Sequence, residues 1–191
     1  MIKVEESVLV FQFWKNTPAK MKRIVTIIVF FFISIIVTIA GTLTPLSAEE
    51  AAKRSEDLKQ IRDLASDAGV TFIFGNNFML CLSFFIPILG IIFGCYVLYN
   101  TGLMIAAESM GLGMSPLLSF LLLLIFPFAW LEFLAYSAAF AQSVWLTWRI
   151  IRHKARMELV NTCIMITICA VILLAAAFVE MFFIELLSPE I

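Results

Sequence analysis

From Pro116 to Trp148 the chain reads PLLSFLLLLIFPFAWLEFLAYSAAFAQSVWLTW, an apolar run of 33 residues whose only ionisable carboxylate is Glu132. A helix needs only about 20 such residues to cross a bilayer. The run is therefore too long for one span and too apolar for a loop. Similar runs flank it on both sides. With 62% of its 191 residues hydrophobic and 14% charged, the chain has more apolar side chain than a soluble domain of this size can bury. The solvent for most of it is lipid, and the fold class expected is an all-α, polytopic transmembrane bundle.

Charge sets the orientation. Lys15, Lys20, Lys22 and Arg23 precede the apolar residues Ile24 to Leu43, and Arg149, Arg152, His153, Lys154 and Arg156 form a second basic cluster. Both belong in the cytoplasm by the positive-inside rule. Residues 1–23, with Val4, Val8, Leu9, Phe11, Phe13 and Trp14 among charged neighbours, read as an amphipathic cytoplasmic segment at the interface. Residues 24–44 read as the first transmembrane helix. A cleavable leader is the rival reading, with Leu46-Ser47-Ala48 as its end, but the apolar run is longer than a leader core.

Residues 45–75 form the one substantial polar segment, expected outside. Ser47 and Glu50 have capping-box spacing, Gly69 is a natural helix stop, and Leu58, Ile61, Ala65 and Ala68 recur every three or four residues. Residues 76–191 form the membrane core. Its first block, Asn76 to Leu98, reads as one span bent by Pro87, with Gly90 and Gly94 in GxxxG spacing for close helix packing.

The two basic clusters demand an odd number of crossings between residue 45 and Arg149. Counting residues 76–98 and 116–148 as one span each gives an even number. Splitting the long run at Pro127 restores the parity, either as two helices over about 103–126 and 128–148 or as a re-entrant pair. With a last span at Leu159 to Leu187 the expectation is about five spans, N-terminus in and C-terminus out.

Polar groups inside such spans are candidate functional sites. Glu132 shares a helix face with Ala129, Ala135, Tyr136, Ala139, Gln142 and Ser143, a small and polar stripe suited to protein or water, while Phe133 and Phe140 fall largely elsewhere. Glu180 in the last span and Asn76 and Asn77 at the opening of the core lie at a comparable depth. The expected site near the outer leaflet thus comprises Glu132, Glu180 and Asn76 or Asn77. The bland alternative is that Glu132 satisfies a helix end left open by Pro127. Asn100 and Gly102 read as a turn at the inner end of the second span.

Catalysis and cofactors find little support. His153 is the one histidine, Cys81, Cys95, Cys163 and Cys169 all sit in apolar runs without a CxxC pair, and no Asp lies in a span. No metal, cofactor or catalytic residue is assigned, and no basic surface points to nucleic acid.

The same residues carry a resemblance. FGNNFML at the core's start, LYNTG after the glycine-spaced span, and PFAWLEFLAYSAAFAQS together resemble the stage II sporulation protein M family of integral membrane proteins. The family pattern marks Asn77, Asn100, Gly102, Pro127 and Glu132. Members often have His and Gly after that proline, where this chain has Phe128 and Ala129, which favours a structural role for the motif here. The resemblance implies a non-enzymatic component of the plasma membrane. In spore formers it acts with wall hydrolases as an anchor or scaffold, and relatives extend to archaea that neither sporulate nor build such walls. Besides the lipid bilayer, the partners expected are a second copy, as a dimer, or a membrane or extracytoplasmic protein. The alternative is a transporter or channel component for a small molecule, ion or lipid, built around Glu132.

Overall fold

A computed structural model describes residues 17–187. The amphipathic run Val4 to Trp14 and the tail 188–191 lie outside the described residues. Among the described residues there are six helices and no strand: α1 (Ala19–Thr42), α2 (Ala48–Phe84), α3 (Leu89–Gly111), α4 (Pro116–Leu123), α5 (Pro127–Ile151) and α6 (Arg156–Leu187). Three of them, α1, α3 and α6, are each long and apolar enough to cross a membrane, and α4 with α5 qualify together as a pair bent by 87°.

Local chemistry explains most boundaries. At the start of α2, the Ser47 hydroxyl accepts the Glu50 N–H at 3.2 Å and the Ser47 N–H donates to the Glu50 carboxylate at 3.0 Å, a reciprocal capping box. Ser115 caps α4 by the one-way half of that arrangement, its hydroxyl accepting the Leu118 N–H at 3.3 Å, with Pro116 at the first helical position. Pro127 occupies the first turn of α5, where its missing N–H costs nothing. Gly69 stops the helix that Ser47 begins: at φ 58° and ψ −142° it is non-helical, a backbone state that favours glycine, and the segment from there to Phe84 is a second helix that α2 includes only across this kink.

Two expectations are corrected here. Residues 76–98 are not one bent span, because the chain leaves helix at Phe85, passes Pro87, takes Ile88 to φ 65° and re-enters helix at Leu89. Proline removes a donor and cannot continue α2, and the tight reversal presses Gly90 against the Phe84 backbone. Residues 103–126 are not a helix either. They are interrupted between Gly111 and Ser115, and α4 has only 8 residues, about 12 Å of rise. The break before Pro127 is present, but it joins a short lateral helix to a long one.

Cross-helix contacts give the directions. Along α5, Asn77, Cys81 and Ile86 meet Glu132, Ala135 and Ser143 in that order, so the second half of α2 runs parallel to it. Arg23 meets Gln142 while Phe31 meets Phe133, and Thr162 meets Gln142 while Cys169 meets Ala135. Hence α1 and α6 run the other way. On the flank of α1, α3 runs with it, Tyr99 and Gly102 lying beside Gly41 and Gly94 receiving the Phe140 ring.

The centre of the bundle is α5, which packs against α6, α1, α2 and α3. Its small residues Ala129, Ala135, Ala138, Ala139 and Ala141 are all buried, and so are Tyr136, Gln142 and Ser143. Phe133 and Phe140, expected off that face, are buried as well, because helices surround α5 on more than one side. Elsewhere the large apolar side chains point outward. Phe32, Ile36, Ile92, Tyr96, Val171, Phe178 and Phe182 are exposed, as a lipid-facing surface requires.

Candidate functional site

Just inside the start of α5, one turn beyond Pro127, stands Glu132. Its Oε1 accepts the side-chain amide of Asn77 at 2.6 Å, across to the second half of α2. Asn76 is exposed and takes no part, so of the two amides the fold selects Asn77. Half-buried on α6, Glu180 makes no hydrogen bond to Glu132 or Asn77 among the described residues. It is nevertheless within electrostatic reach of both Glu132 and the buried Tyr136. The four groups therefore form a carboxylate pair with one amide and one phenol, on α2, α5 and α6.

The bland account of Glu132 needs amending. The carbonyl left open at the break is that of Leu124, and it accepts the Trp130 indole N–H at 2.6 Å rather than anything from Glu132. Glu132 thus ties α5 to α2, and Trp130 closes the break.

The remaining motif positions serve a different contact. Asn100 and Gly102 lie within α3, not in a turn, because the helix runs unbroken through them. The Asn100 side chain donates to the Tyr96 carbonyl at 2.8 Å and accepts from Arg54 at 3.4 Å. Gly102 lies against the Thr38 carbonyl and the Thr42 N–H group, and Gly41 against the Tyr99 carbonyl, so a Cβ at either would overlap backbone of the facing helix. Gly90 and Gly94 are likewise buried inside the chain, the latter beneath Phe140. Their packing is intramolecular, which removes them as the surface of a dimer.

Outside this core, the first half of α2 stands beside the outer part of α3. Arg54 bonds Asn100 and Arg62 forms an ion pair with Glu108, eight residues further along both helices. Ile61 and Leu64 remain exposed on it at 40% and 52%. The Glu50 carboxyl at its start is held below the ordinary carboxylate value, first by the Ser47 backbone N–H, then by the Ser47 hydroxyl, with Arg54 adding to both.

A second polar cluster, at the opposite end, escapes a reading of the sequence. Glu158 is only 1% exposed. Its Oε1 accepts Arg23 at 2.5 Å and Gln142 at 3.0 Å, while Arg149 Nε lies 3.5 Å from its Oε2 as an ion pair without hydrogen-bond geometry. The Gln142 amide also donates to Thr162 at 2.9 Å, and Arg23 lies over the Trp145 ring at 5.0 Å. One carboxylate thereby joins α1, α5 and α6. The signal available was a single acid, Glu158, within a basic cluster at a helix start, where negative charge is favoured.

Among the described residues no three or more His, Cys, Asp or Glu side chains gather where they could hold a metal. An all-helical fold with several membrane-length apolar helices, polar groups paired inside and apolar groups facing out, defines an integral membrane protein of the helical type. Within that class the chain matches the family described as Stage II sporulation protein M over residues 25–183, and it belongs to that family. No curated protein and no solved structure matches it.

Proposed function

We propose that this protein is a non-enzymatic membrane scaffold whose outer helix, the first half of α2, recruits a membrane or extracytoplasmic protein. The observation that carries the reading is that this helix is fixed and uncovered at once. The capping box holds its start, Arg54 and Arg62 hold its side against α3, and Ile61 and Leu64 face outward. A helix ordered without its apolar residues being covered fits a docking element. The Asn77–Glu132 pair then serves to fix α2 on α5 beneath it.

The topology that goes with this role has five crossings in the plasma membrane, N-terminus in and C-terminus out: α1, the second half of α2, α3, α5 and α6. It is supported by the alternating helix directions and by both basic clusters lying at one end, where Arg23 and Arg149 meet Glu158. The extra crossing comes from the reversal at Pro87, and α4 lies laterally at the outer side.

Affinity purification of the full chain from its native membrane tests the scaffold. A stoichiometric protein partner should co-purify, and replacing residues 49–68 by a flexible linker should abolish its capture while Glu132→Gln leaves it intact. Retention of the partner by the linker variant would remove the outer helix from the role. The rival reading, a transporter or channel component, is favoured by the 87° break next to Glu132, since broken helices build intramembrane sites. Liposome flux that is lost in Glu132→Gln would support it, and equal flux in wild type, Glu132→Gln and empty liposomes would dismiss it.

A further inference from the structure

At the end of the bundle that carries the basic cluster, an apolar groove of about 370 Å³ opens between the reversal at Pro87 and α5. Its walls are Ile88, Ile91 and Ile92 on one side and Val144, Trp148 and Ile151 on the other. Four of these are more than two-fifths exposed: Ile88, Ile92, Trp148 and Ile151. The one hydroxyl in the lining, Thr147, donates to the Ser143 carbonyl at 2.7 Å and so asks nothing of an occupant. From Val144 to Ile151 the helix rises about 10 Å, most of the ~15 Å depth of one hydrocarbon leaflet. A groove of that depth, apolar but for one satisfied hydroxyl and open to lipid, matches an acyl chain.

The groove has a charged mouth. Arg152 follows Ile151 directly and lies with its guanidinium 4.2 Å over the ring of Trp148, itself part of the groove wall. Stacking uses the face of a guanidinium and leaves its edge N–H groups for an anion. Among the described residues Arg152, Lys154 and Arg156 have no acidic partner, because the neighbouring acid, Glu158, is already held by Arg23 and Arg149. The chain turns here through His153 at φ 54°, so these cations sit together beyond the last turn of α5. An unneutralised basic turn at the mouth of an acyl-sized groove is complementary to a lipid whose headgroup carries net negative charge.

We infer that this groove is a binding site for one anionic phospholipid of the inner leaflet, its acyl chain between α3 and α5 and its phosphate on Arg152. A basic cluster that served orientation alone would attract anionic lipid without retaining it. Arg152 joined to the groove wall through Trp148 makes retention the expected behaviour.

Native mass spectrometry of the full chain, with phosphatidylglycerol or phosphatidylcholine of identical acyl chains added, tests the site. Wild type should retain one phosphatidylglycerol in preference to phosphatidylcholine. Arg152→Gln should lower that preference about fivefold, the effect of losing one interfacial cation worth about 1 kcal/mol, and Arg152→Lys should restore part of it. Filling the groove by Ile92→Trp, at a position 65% exposed and so tolerant of size, should reduce retention of both lipids. Inorganic phosphate at millimolar concentration should not displace the lipid. Equal retention of the two lipids by wild type, an unchanged preference in Arg152→Gln, or displacement by phosphate would each overturn the proposal.

Discussion

Removing the Glu158 carboxylate would leave Arg23 and Arg149 facing each other beside Gln142 with no anion between them. Breaking a buried pair from one side costs about 3 kcal/mol, the lower end of the usual range because Arg23 keeps 22% exposure. Glu158→Ala should accordingly lower the thermal midpoint in detergent well beyond the lowering by Glu158→Gln, which keeps an oxygen for Arg23. An unchanged midpoint in Glu158→Ala would mean the cluster is ornamental. At the other polar pair, Asn77→Ala strands a carboxylate oxygen inside the bundle, at about 1–3 kcal/mol. Glu132→Gln retains an acceptor for the Asn77 amide and should be nearly neutral for stability, so thermal unfolding separates the two variants. Glu132 was legible from its sequence alone as an ionisable group in an apolar run. Glu158 was not, because a charge among charges carries no local contrast.

Helix α3 owes its place to glycine, since its approach to α1 is set where Gly41 and Gly102 face each other's backbone. Gly102→Leu should impair folding by about 3 kcal/mol or more, because the obstructing atoms are backbone carbonyl and amide groups that cannot swing aside. Gly75→Ala, with open space around it, should raise stability by about 0.5–1 kcal/mol through helix propensity, and the pair of thermal midpoints checks the contrast. The outer part of α2 carries a pH dependence. Glu50 has a depressed pKa in the folded chain, so its capping contribution is complete above the ordinary value of 4.5 and is lost as pH falls through the lower folded value. Carboxyl chemical shifts should show Glu50 titrating below 4.5, and Ser47→Ala should return it toward 4.5. A Glu50 titration unmoved by Ser47→Ala would contradict the cap.

For the whole molecule, the reversal at Pro87 decides the topology. With α3 as a full pass, Leu112 emerges on the same side as Asp57, whereas a single span over 76–98 would leave Leu112 in the middle of the membrane. Single cysteines at Asp57 and Leu112, in a background free of native cysteines, should label from outside with an impermeant maleimide. One at Lys154 should label only after permeabilisation. Protection of Leu112 would restore the single-span reading. Both side chains are exposed, so accessibility reports membrane side rather than burial.

By itself the sequence determined that this chain is an all-helical membrane protein, that basic residues flanking its apolar runs gather at one end, that Ser47 and Glu50 start a helix, and that the long apolar run breaks before Pro127. Those are local matters, of hydropathy over about 20 residues, of charge beside a span, and of proline's missing donor. Tertiary structure alone decided which break reverses the chain. Pro87 and Pro127 look alike along the sequence, yet at the first the chain doubles back to pack Gly90 on Phe84, and at the second it turns by 87°. It also decided that Asn77 rather than Asn76 meets Glu132, that Gly102 serves a helix crossing rather than a turn, and that a loop-like acid, Glu158, is among the most buried polar groups present. Each depends on which helix stands opposite, and in lipid that is chosen by close packing and paired polar groups, which no single segment's sequence contains.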